Sequence, residues 1–172
     1  QSYLAVLGRI APEKGVDRAI RIATRCGIPL KIAAKVDRAD QEYYDELIKP
    51  LIADNPLVEF IGEISDREKP DFLSGAIGLL VPIDWPEPFG LVMIEAMACG
   101  TPVIAYNRGS VPEIIEDGLT GFIVEDEISA ISSVGRLSML NRDAIRKQFE
   151  TRFTARRMAL DYLAAYRSLM EA

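Results

Sequence analysis

The sequence predicts an α/β fold, a Rossmann-like parallel sheet sandwiched by helices. Short apolar runs alternate with amphipathic stretches along the chain, which is typical of a parallel sheet covered on both faces. The chain has 172 residues, 49% of them hydrophobic, which is enough to bury one core. Because no repeat, low-complexity segment or interior linker divides it, we expect a single domain over residues 1–172.

Six short apolar runs are the strand candidates, since strands of this class are short and aliphatic. They cover residues 3–7, 30–34, 58–61, 77–81, 102–105 and 121–124. Longer amphipathic stretches follow them and predict helices at residues 16–26, 39–53, 68–74, 91–99, 111–116, 128–137, 142–151 and 155–170. Right-handed crossovers place the strand-to-helix loops along one edge of the sheet, where open α/β folds bind ligands.

The amino-acid composition argues against several classes of partner and site. A net charge of −6 argues against nucleic acid or an anionic membrane as a partner. No apolar run approaches the roughly 20 residues of a membrane span. The two cysteines are too few for a disulfide scaffold or a zinc site and favour a cytoplasmic protein with reduced thiols. The chain has no histidine, so acid–base chemistry must use carboxylates or groups from elsewhere.

The loop after the first strand, residues 8–15, is a candidate phosphate site because it contains two cations. Arg9 can bind phosphate oxygens in a bidentate manner, and Lys14 adds a point charge. In the alternative, both are solvated cations that pair with Glu13 or Asp17, and such pairs contribute little. The next two loops give weaker signals.

Lys35, after the second strand, is more simply a surface residue than a site residue. Ile64, after the third strand, either borders a flat base or belongs to a plain strand end.

Residues 87–95 form the most informative segment, because Glu87 and Glu95 lie eight residues apart where a loop becomes a helix. Pro86 and Pro88 favour extended backbone at the residues before them, Trp85 and Glu87, so we expect the Glu87 side chain to project from the loop. Gly90 allows close approach of the backbone. The start of the helix offers free N–H groups and partial positive charge, which suit a phosphate.

Glu95 lies one turn into that helix near apolar residues, so its carboxylate needs a donor partner. Two carboxylates on either side of a phosphate site fit a ligand with hydroxyl groups at both ends of a diphosphate, and a nucleotide sugar has this arrangement. The alternatives are an exposed loop acid at Glu87 and, at Glu95, a helix carboxylate that is favourable without a ligand.

The last two segments have structural interpretations. Residues 108–113 indicate a turn into a helix with Ser110 as its N-cap. Met93 and Met97 are expected to fill the core. The last helix has an apolar stripe that packs either on this domain's own sheet, as ordinary amphipathic helices do, or on a missing domain. The stripe consists of Met158, Tyr162, Ala165, Tyr166 and Leu169.

Several ligand motifs are absent from the sequence. There is no Gly-x-Gly-x-x-Gly after the first strand, no Walker-type phosphate loop and no Asp-x-Asp pair for a metal-bound diphosphate. We therefore expect no cofactor and no metal site. The charge of a diphosphate would be offset by Arg9, Lys14 and backbone N–H groups.

The motifs, taken in order, resemble those of the retaining GT-B glycosyltransferases of the GT4 type. They occupy residues 8–15, 87–105, 109–113 and 117–122, so the resemblance covers nearly the whole chain. It implies the carboxy-terminal, donor-binding half of a GT-B fold. It also implies a nucleoside-diphosphate sugar as the donor and an amino-terminal acceptor domain that this chain lacks. Gln1-Ser2 lead directly into a strand, which likewise suggests a piece of a longer protein.

The resemblance also implies a role for each matching residue. Arg9 and Lys14 hold the diphosphate, Glu87 binds hydroxyl groups of the donor sugar, and Glu95 binds the ribose 2′- and 3′-hydroxyls. The catalytic candidates are thus Arg9, Lys14 and Glu87. The backbone of the helix start meets sugar and phosphate, and a segment after the third strand borders the base. The further substrate-binding positions are Gly8, Ile64, Phe89, Gly90 and Leu91.

The sequence departs from the family pattern at residues 34–36, where many members have a Gly-rich loop, and at Arg108, where a glycine is common. Two other functions stay open: a sugar-nucleotide epimerase on the same architecture, and a non-catalytic nucleotide-binding module with a decayed site. The sequence indicates neither the donor sugar and base nor the acceptor.

Overall fold

The computed structural model describes residues 2–171, and the side chains of residues 166 and 171 lie outside that description. Its centre is a six-stranded sheet in the order β3-β2-β1-β4-β5-β6, with every neighbouring pair parallel. The strands are β1 (Tyr3–Arg9), β2 (Leu30–Lys35), β3 (Val58–Phe60), β4 (Ala76–Val81), β5 (Val103–Tyr106) and β6 (Gly121–Val124). The predicted Rossmann-like parallel sheet is confirmed, with each strand close to its expected position.

Helices cover both faces of the sheet. They are α1 (Val16–Cys26), α2 (Gln41–Tyr43), α3 (Lys49–Ala53), α4 (Lys69–Ser74), α5 (Leu91–Ala98), α6 (Val111–Ile114), α7 (Glu127–Val134), α8 (Arg142–Arg152) and α9 (Ala155–Glu171). Short 3₁₀ turns at Pro12–Lys14 and Leu137–Met139 were not predicted, and α7 ends before the second of them.

The single helix expected over residues 39–53 is interrupted. α2 and α3 are joined by the π-helical turn Tyr44–Ile48, and the 3₁₀ turn Arg38–Asp40 precedes them. Pro50 supplies the physical reason, because it has no N–H to donate to the carbonyl four residues before it and its ring crowds that carbonyl. A wider turn just before the proline relieves the crowding.

Hydrophobic cores lie on the two faces of the sheet. Successive strand residues alternate between them, so Leu4 faces the core under α1 and Ala5 faces the core under α5. Met93 and Met97 are fully buried in the second core, which confirms the expectation that they fill it. Burying such a side chain stabilises the fold by about 1.5–3 kcal/mol.

The order of the strands creates a crevice at one edge of the sheet. From β1 the chain moves outward to β2 and β3, then returns to the other side of β1 as β4. The connections after β1 and β4 therefore diverge at the carboxyl ends of these neighbouring strands, which is where doubly wound sheets bind ligands. This edge positions residues 8–15 and 82–90.

Helix α9 does not dock on the sheet, so the interpretation favoured by its amphipathic pattern is wrong. Met158, Tyr162 and Leu169 are 50%, 66% and 74% exposed. The side chain of Tyr166, another member of the stripe, lies outside the described residues. The sheet has no free face for this helix, because α1 and α7 cover one side and α5 and α8 the other. Within residues 2–171, none of the helices combines the length and the apolar character that a membrane crossing requires.

Candidate functional site

A cleft of about 400 Å³ opens at the carboxyl edge of the sheet between β1 and β4. It brings together five of the residues predicted for the site: Gly8, Arg9, Lys14, Glu87 and Gly90. Aliphatic side chains from the ends of both strands form its floor, among them Val6, Leu80, Val81 and Ile83. An apolar floor with a few convergent charged groups is the usual composition of a small-molecule site.

The loop after β1 is fastened to the loop after β4. Gly15 begins α1 with φ of 70°, and a Cβ there would overlap the carbonyl oxygen of Pro82, so only glycine fits. Arg18 donates from Nε to that same oxygen at 2.9 Å. The Asp84 N–H donates to the Glu13 carbonyl at 2.8 Å. These contacts hold the cation-bearing loop against the wall of the cleft.

Lys14 and Glu87 form an ion pair across the cleft, with Nζ 3.0 Å from Oε2. The two side chains are 27% and 16% exposed, so Glu87 is not an exposed loop acid and Lys14 is not a solvated cation. The ammonium also lies 5.0 Å from the centre of the Trp85 ring, a favourable cation–π contact. Glu87 accordingly projects into the cleft.

Arg9 forms exposed ion pairs with nearby carboxylates, as the alternative interpretation of residues 8–15 predicts. Its Nη2 lies 3.2 Å from Glu13 Oε1, and Nη1 lies 4.0 Å from Asp37 Oδ2. Exposed pairs of this kind contribute about 0–1 kcal/mol, so the guanidinium can exchange them for a phosphate. Lys35 is exposed and pairs with Asp37 at 3.4 Å, in agreement with its interpretation as a surface residue.

The turn before α6 supports the backbone of Glu87. Gly109 has φ of 53°, and a Cβ at this position would overlap the main chain of Glu87. The Ser110 N–H donates to the Glu87 carbonyl at 2.8 Å. The residues of this turn thus hold the backbone from which the Glu87 side chain projects, although they do not line the cleft.

The predicted capping by the Ser110 side chain is wrong. Ser110 is at the N-cap position but makes no capping hydrogen bond, and its buried Oγ has no partner among the described residues. The reason is its backbone, since φ of −74° and ψ of −7° are helical values, whereas a capping side chain reaches the helix amides from an extended conformation.

The start of α5 closes the end of the cleft. Gly90 precedes the helix with φ of 59°, and its N–H lies 3.5 Å from Glu87 Oε1. The first amides of a helix have no intrahelical acceptor and bear partial positive charge. Phe89 and Leu91, which were predicted for the site, have exposed side chains and are not among the residues that line the cleft.

Glu95 has the donor partner that its position requires, and that partner is Lys69, a residue that the sequence analysis missed. The two are 3.1 Å apart, and Lys69 also lies 3.0 Å from Asp66. The hydrogen bond with Asp66, assisted by Glu95, raises the pKa of Lys69. Glu95 is not among the residues that line the cleft, of which Val92 and Met93 belong to α5. Ile64 also lies outside the lining and packs against the core under α5.

Trp85 was missed for a different reason. The sequence analysis treated it only as a residue before a proline, although it is the single tryptophan of the chain. A large aromatic residue next to the charged segment 87–95 is the signal that could have indicated a wall of the cleft. Among the described residues, no group of three or more His, Cys, Asp or Glu side chains is arranged to hold a metal ion.

Comparisons with known proteins support the sequence resemblance. Residues 1–154 match the profile of the family described as glycosyl transferases group 1. A D-inositol 3-phosphate glycosyltransferase from Mycolicibacterium smegmatis is 33% identical over 130 residues, which are 73% of this chain and 29% of that protein.

Two solved structures share the fold. The glycosyltransferase AviGT4 of avilamycin A biosynthesis superposes with a TM-score of 0.79 at 26% identity, covering 100% of this chain and 52% of that one. The Anabaena protein Alr3699/HepE, solved in complex with UDP, superposes with a TM-score of 0.84 at 22% identity, covering 98% and 49%. The chain thus spans about half the length of these structures, and its match to the mycobacterial relative covers less than a third of that protein.

Proposed function

The chain belongs to the glycosyl transferases group 1 family, and from this premise we propose that it is the donor-binding domain of a retaining, GT4-type glycosyltransferase with the GT-B fold. The whole enzyme transfers a sugar from a nucleoside diphosphate to an acceptor held by an amino-terminal domain outside this chain. The observation that carries the proposal is the convergence of Arg9, Lys14, Glu87 and the start of α5 on one cleft.

In the proposed reaction, the bond between the anomeric carbon and the diphosphate breaks, and negative charge develops on the leaving oxygen. Arg9, Lys14 and the first amides of α5 offset this charge, and the amides do so from fixed positions, which is the efficient arrangement for electrostatic stabilisation. They supply positive charge from the protein itself, and we propose on this ground that no metal is needed. Loss of either cation should cost about 2–4 kcal/mol of transition-state stabilisation.

The carboxylates orient the two ends of the donor. Glu87 lies in the cleft beside Lys14 and accepts hydrogen bonds from hydroxyl groups of the sugar. Glu95, one turn along α5, accepts from the ribose hydroxyls, and Ile64 borders the base. We also propose a cytoplasmic location, which rests on the two cysteines without disulfide spacing.

The proposal is tested by thermal-shift measurements with a panel of nucleoside diphosphates, beginning with UDP because the Anabaena protein of the same fold was solved with it. A ligand that binds the folded chain raises the melting temperature by mass action. We expect at least one diphosphate to do so, and Lys14→Met to weaken its binding, so that the shift at the same ligand concentration is smaller. Lys49→Met is the matched control, because Lys49 is exposed and outside the cleft lining.

Two outcomes would overturn the proposal. If no nucleoside diphosphate binds even at millimolar concentration, the chain is the decayed module considered above. If the full-length protein converts a nucleotide sugar with no acceptor present, it is an epimerase. Sugar transfer by this chain alone would contradict the role assigned to the amino-terminal domain.

A further inference from the structure

We propose that the Lys14–Glu87 ion pair makes the cleft discriminate between a sugar nucleotide and a bare diphosphate, weakening the binding of the product relative to the donor. This inference rests on the proposed function, because it concerns the same cleft. The inference goes beyond the proposed function because it gives Glu87 a second role, as a competitor of the diphosphate for Lys14.

The Lys14 ammonium, which a diphosphate would bind, is already paired with a carboxylate in the cleft. Lys14 Nζ lies 3.0 Å from Glu87 Oε2, and the two side chains are mostly withdrawn from solvent. The Trp85 ring on another side of the ammonium further restricts its position. An incoming diphosphate must therefore draw Lys14 away from Glu87 or share it with an adjacent negative charge.

The backbone of Glu87 is held in place, and its carboxylate has a second contact besides Lys14. Its carbonyl accepts from the Ser110 N–H, Gly109 packs against its main chain, and the Gly90 N–H lies 3.5 Å from its Oε1. The Lys14 side chain is a flexible chain of four methylene carbons, so the ammonium can shift while the Lys14 backbone stays in place. The carboxylate remains in the cleft when the ammonium leaves.

The two kinds of ligand then differ in whether they offer Glu87 hydrogen-bond donors in place of the lost ammonium. A bare diphosphate takes Lys14 and leaves a poorly solvated carboxylate without its cation and close to a second anion, which is unfavourable. A sugar nucleotide also takes Lys14, but its sugar hydroxyls donate hydrogen bonds to the carboxylate in compensation. Glu87 thus penalises the product of the reaction more than the donor.

A substitution that removes the charge and keeps the shape tests this directly. Glu87→Gln should bind inorganic pyrophosphate and UDP more tightly than the wild-type chain, by roughly 3- to 10-fold, because Lys14 is no longer neutralised. Pyrophosphate has neither base nor sugar, so the result does not depend on knowing either. The affinities are measured by isothermal titration calorimetry, with melting temperatures to confirm folding.

The tightening must depend on Lys14. In a double-mutant cycle, Lys14→Met with Glu87→Gln should show no gain over Lys14→Met alone. Glu59→Gln is the matched control, since Glu59 also pairs with a lysine, Lys31 at 3.7 Å, but outside the cleft, and it should leave pyrophosphate affinity unchanged.

The outcomes separate this inference from the proposed function. If the wild-type chain binds UDP or pyrophosphate and Glu87→Gln binds them equally or more weakly, the inference is overturned and the proposed function stands. An equal gain in the absence of Lys14 overturns it as well. If no diphosphate probe binds the wild-type chain, the proposed function fails and this inference fails with it.

Discussion

At the scale of single residues, the site depends on side chains and glycines whose partners are distant in sequence. Lys14 and Glu87 are 73 positions apart, and Arg18 reaches Pro82 over 64. Lys14 and Arg18 follow β1, in its loop and in the first turn of α1, and Pro82 and Glu87 follow β4, so the pairs exist only because β1 and β4 are neighbours. Glycine is required at Gly15 for the same reason, since the backbone of Pro82 occupies the space of a side chain.

Substituting Gly15 tests this contact. Both Gly15 and Gly27 flank α1 with positive φ, 70° and 66°, but a Cβ at Gly27 would meet nothing within 4 Å. Gly27→Ala therefore carries only the cost of left-handed backbone, about 1–2 kcal/mol. Gly15→Ala adds the overlap with Pro82 and should destabilise the fold by about 2 kcal/mol more. Urea unfolding measures both, and equal losses would contradict the close contact.

Some of the site residues could be predicted from the sequence, and others could not. Arg9, Lys14, Glu87 and Gly90 were predicted from residue type, spacing and position in the fold, and the structure places them in one cleft. Their roles toward a donor stay predictions. Lys69 was missed because a lone lysine has no spacing that distinguishes it from a surface residue, and Trp85 was missed because its position beside residues 87–95 was not used. The Lys14–Glu87 pair was missed because partner choice depends on packing.

At the scale of helices and strands, local sequence signals determined most boundaries. α1 and β6 begin and end where the sequence predicted. Failures occurred where the backbone departs from regular geometry. Pro50 interrupts the helix expected over residues 39–53, and Ser110 has helical rather than extended backbone and so cannot cap α6. Propensity and periodicity indicate which element forms, whereas its terminal geometry depends on neighbouring chain.

The start of α7 provides a pH-dependent test at this scale. Asp126 accepts from the Ser129 N–H at 2.8 Å, and Ser129 Oγ accepts in return from the Asp126 N–H at 3.2 Å, which together form a capping box. The hydrogen bond from the Ser129 backbone is the main cause that lowers the pKa of Asp126. The charged cap therefore stabilises the fold above the usual carboxyl pKa, and this contribution is lost as pH falls through the lowered value.

Asp126→Asn should remove that pH dependence, because asparagine caps a helix about as well but does not titrate. We expect the melting temperature of wild type to fall more than that of the variant on acidification from neutral pH to about pH 3. Asp126→Ala, which removes the cap, should lower the melting temperature at neutral pH. Parallel melting curves of wild type and Asp126→Asn at every pH would contradict the capping role.

At the scale of the whole molecule, residues 2–171 form one open, doubly wound sheet, and helix α9 lies away from it. The family match ends at residue 154, just before α9 begins. The sequence analysis identified the apolar stripe of this helix but not its surroundings. An amphipathic pattern shows that a helix has an apolar face, and it does not show which surface covers that face.

Removing α9 should therefore leave the core intact. A chain of residues 1–154 should melt within roughly 2 °C of the whole chain, because exposed side chains contribute little to the free energy of unfolding. It should also keep its affinity for a diphosphate, since the cleft lies at the β1–β4 edge. A large fall in melting temperature would show that α9 packs on the domain after all. Differential scanning calorimetry distinguishes the two results.

The central claim is that a diphosphate binds where the loop after β1 meets the start of α5. The most direct measurement is a crystal structure of the chain soaked with UDP. We predict the diphosphate within hydrogen-bonding distance of Arg9, Lys14 and the first amides of α5, with Lys14 displaced from Glu87. A diphosphate bound elsewhere on the domain, with the Lys14–Glu87 pair unchanged, would contradict the account.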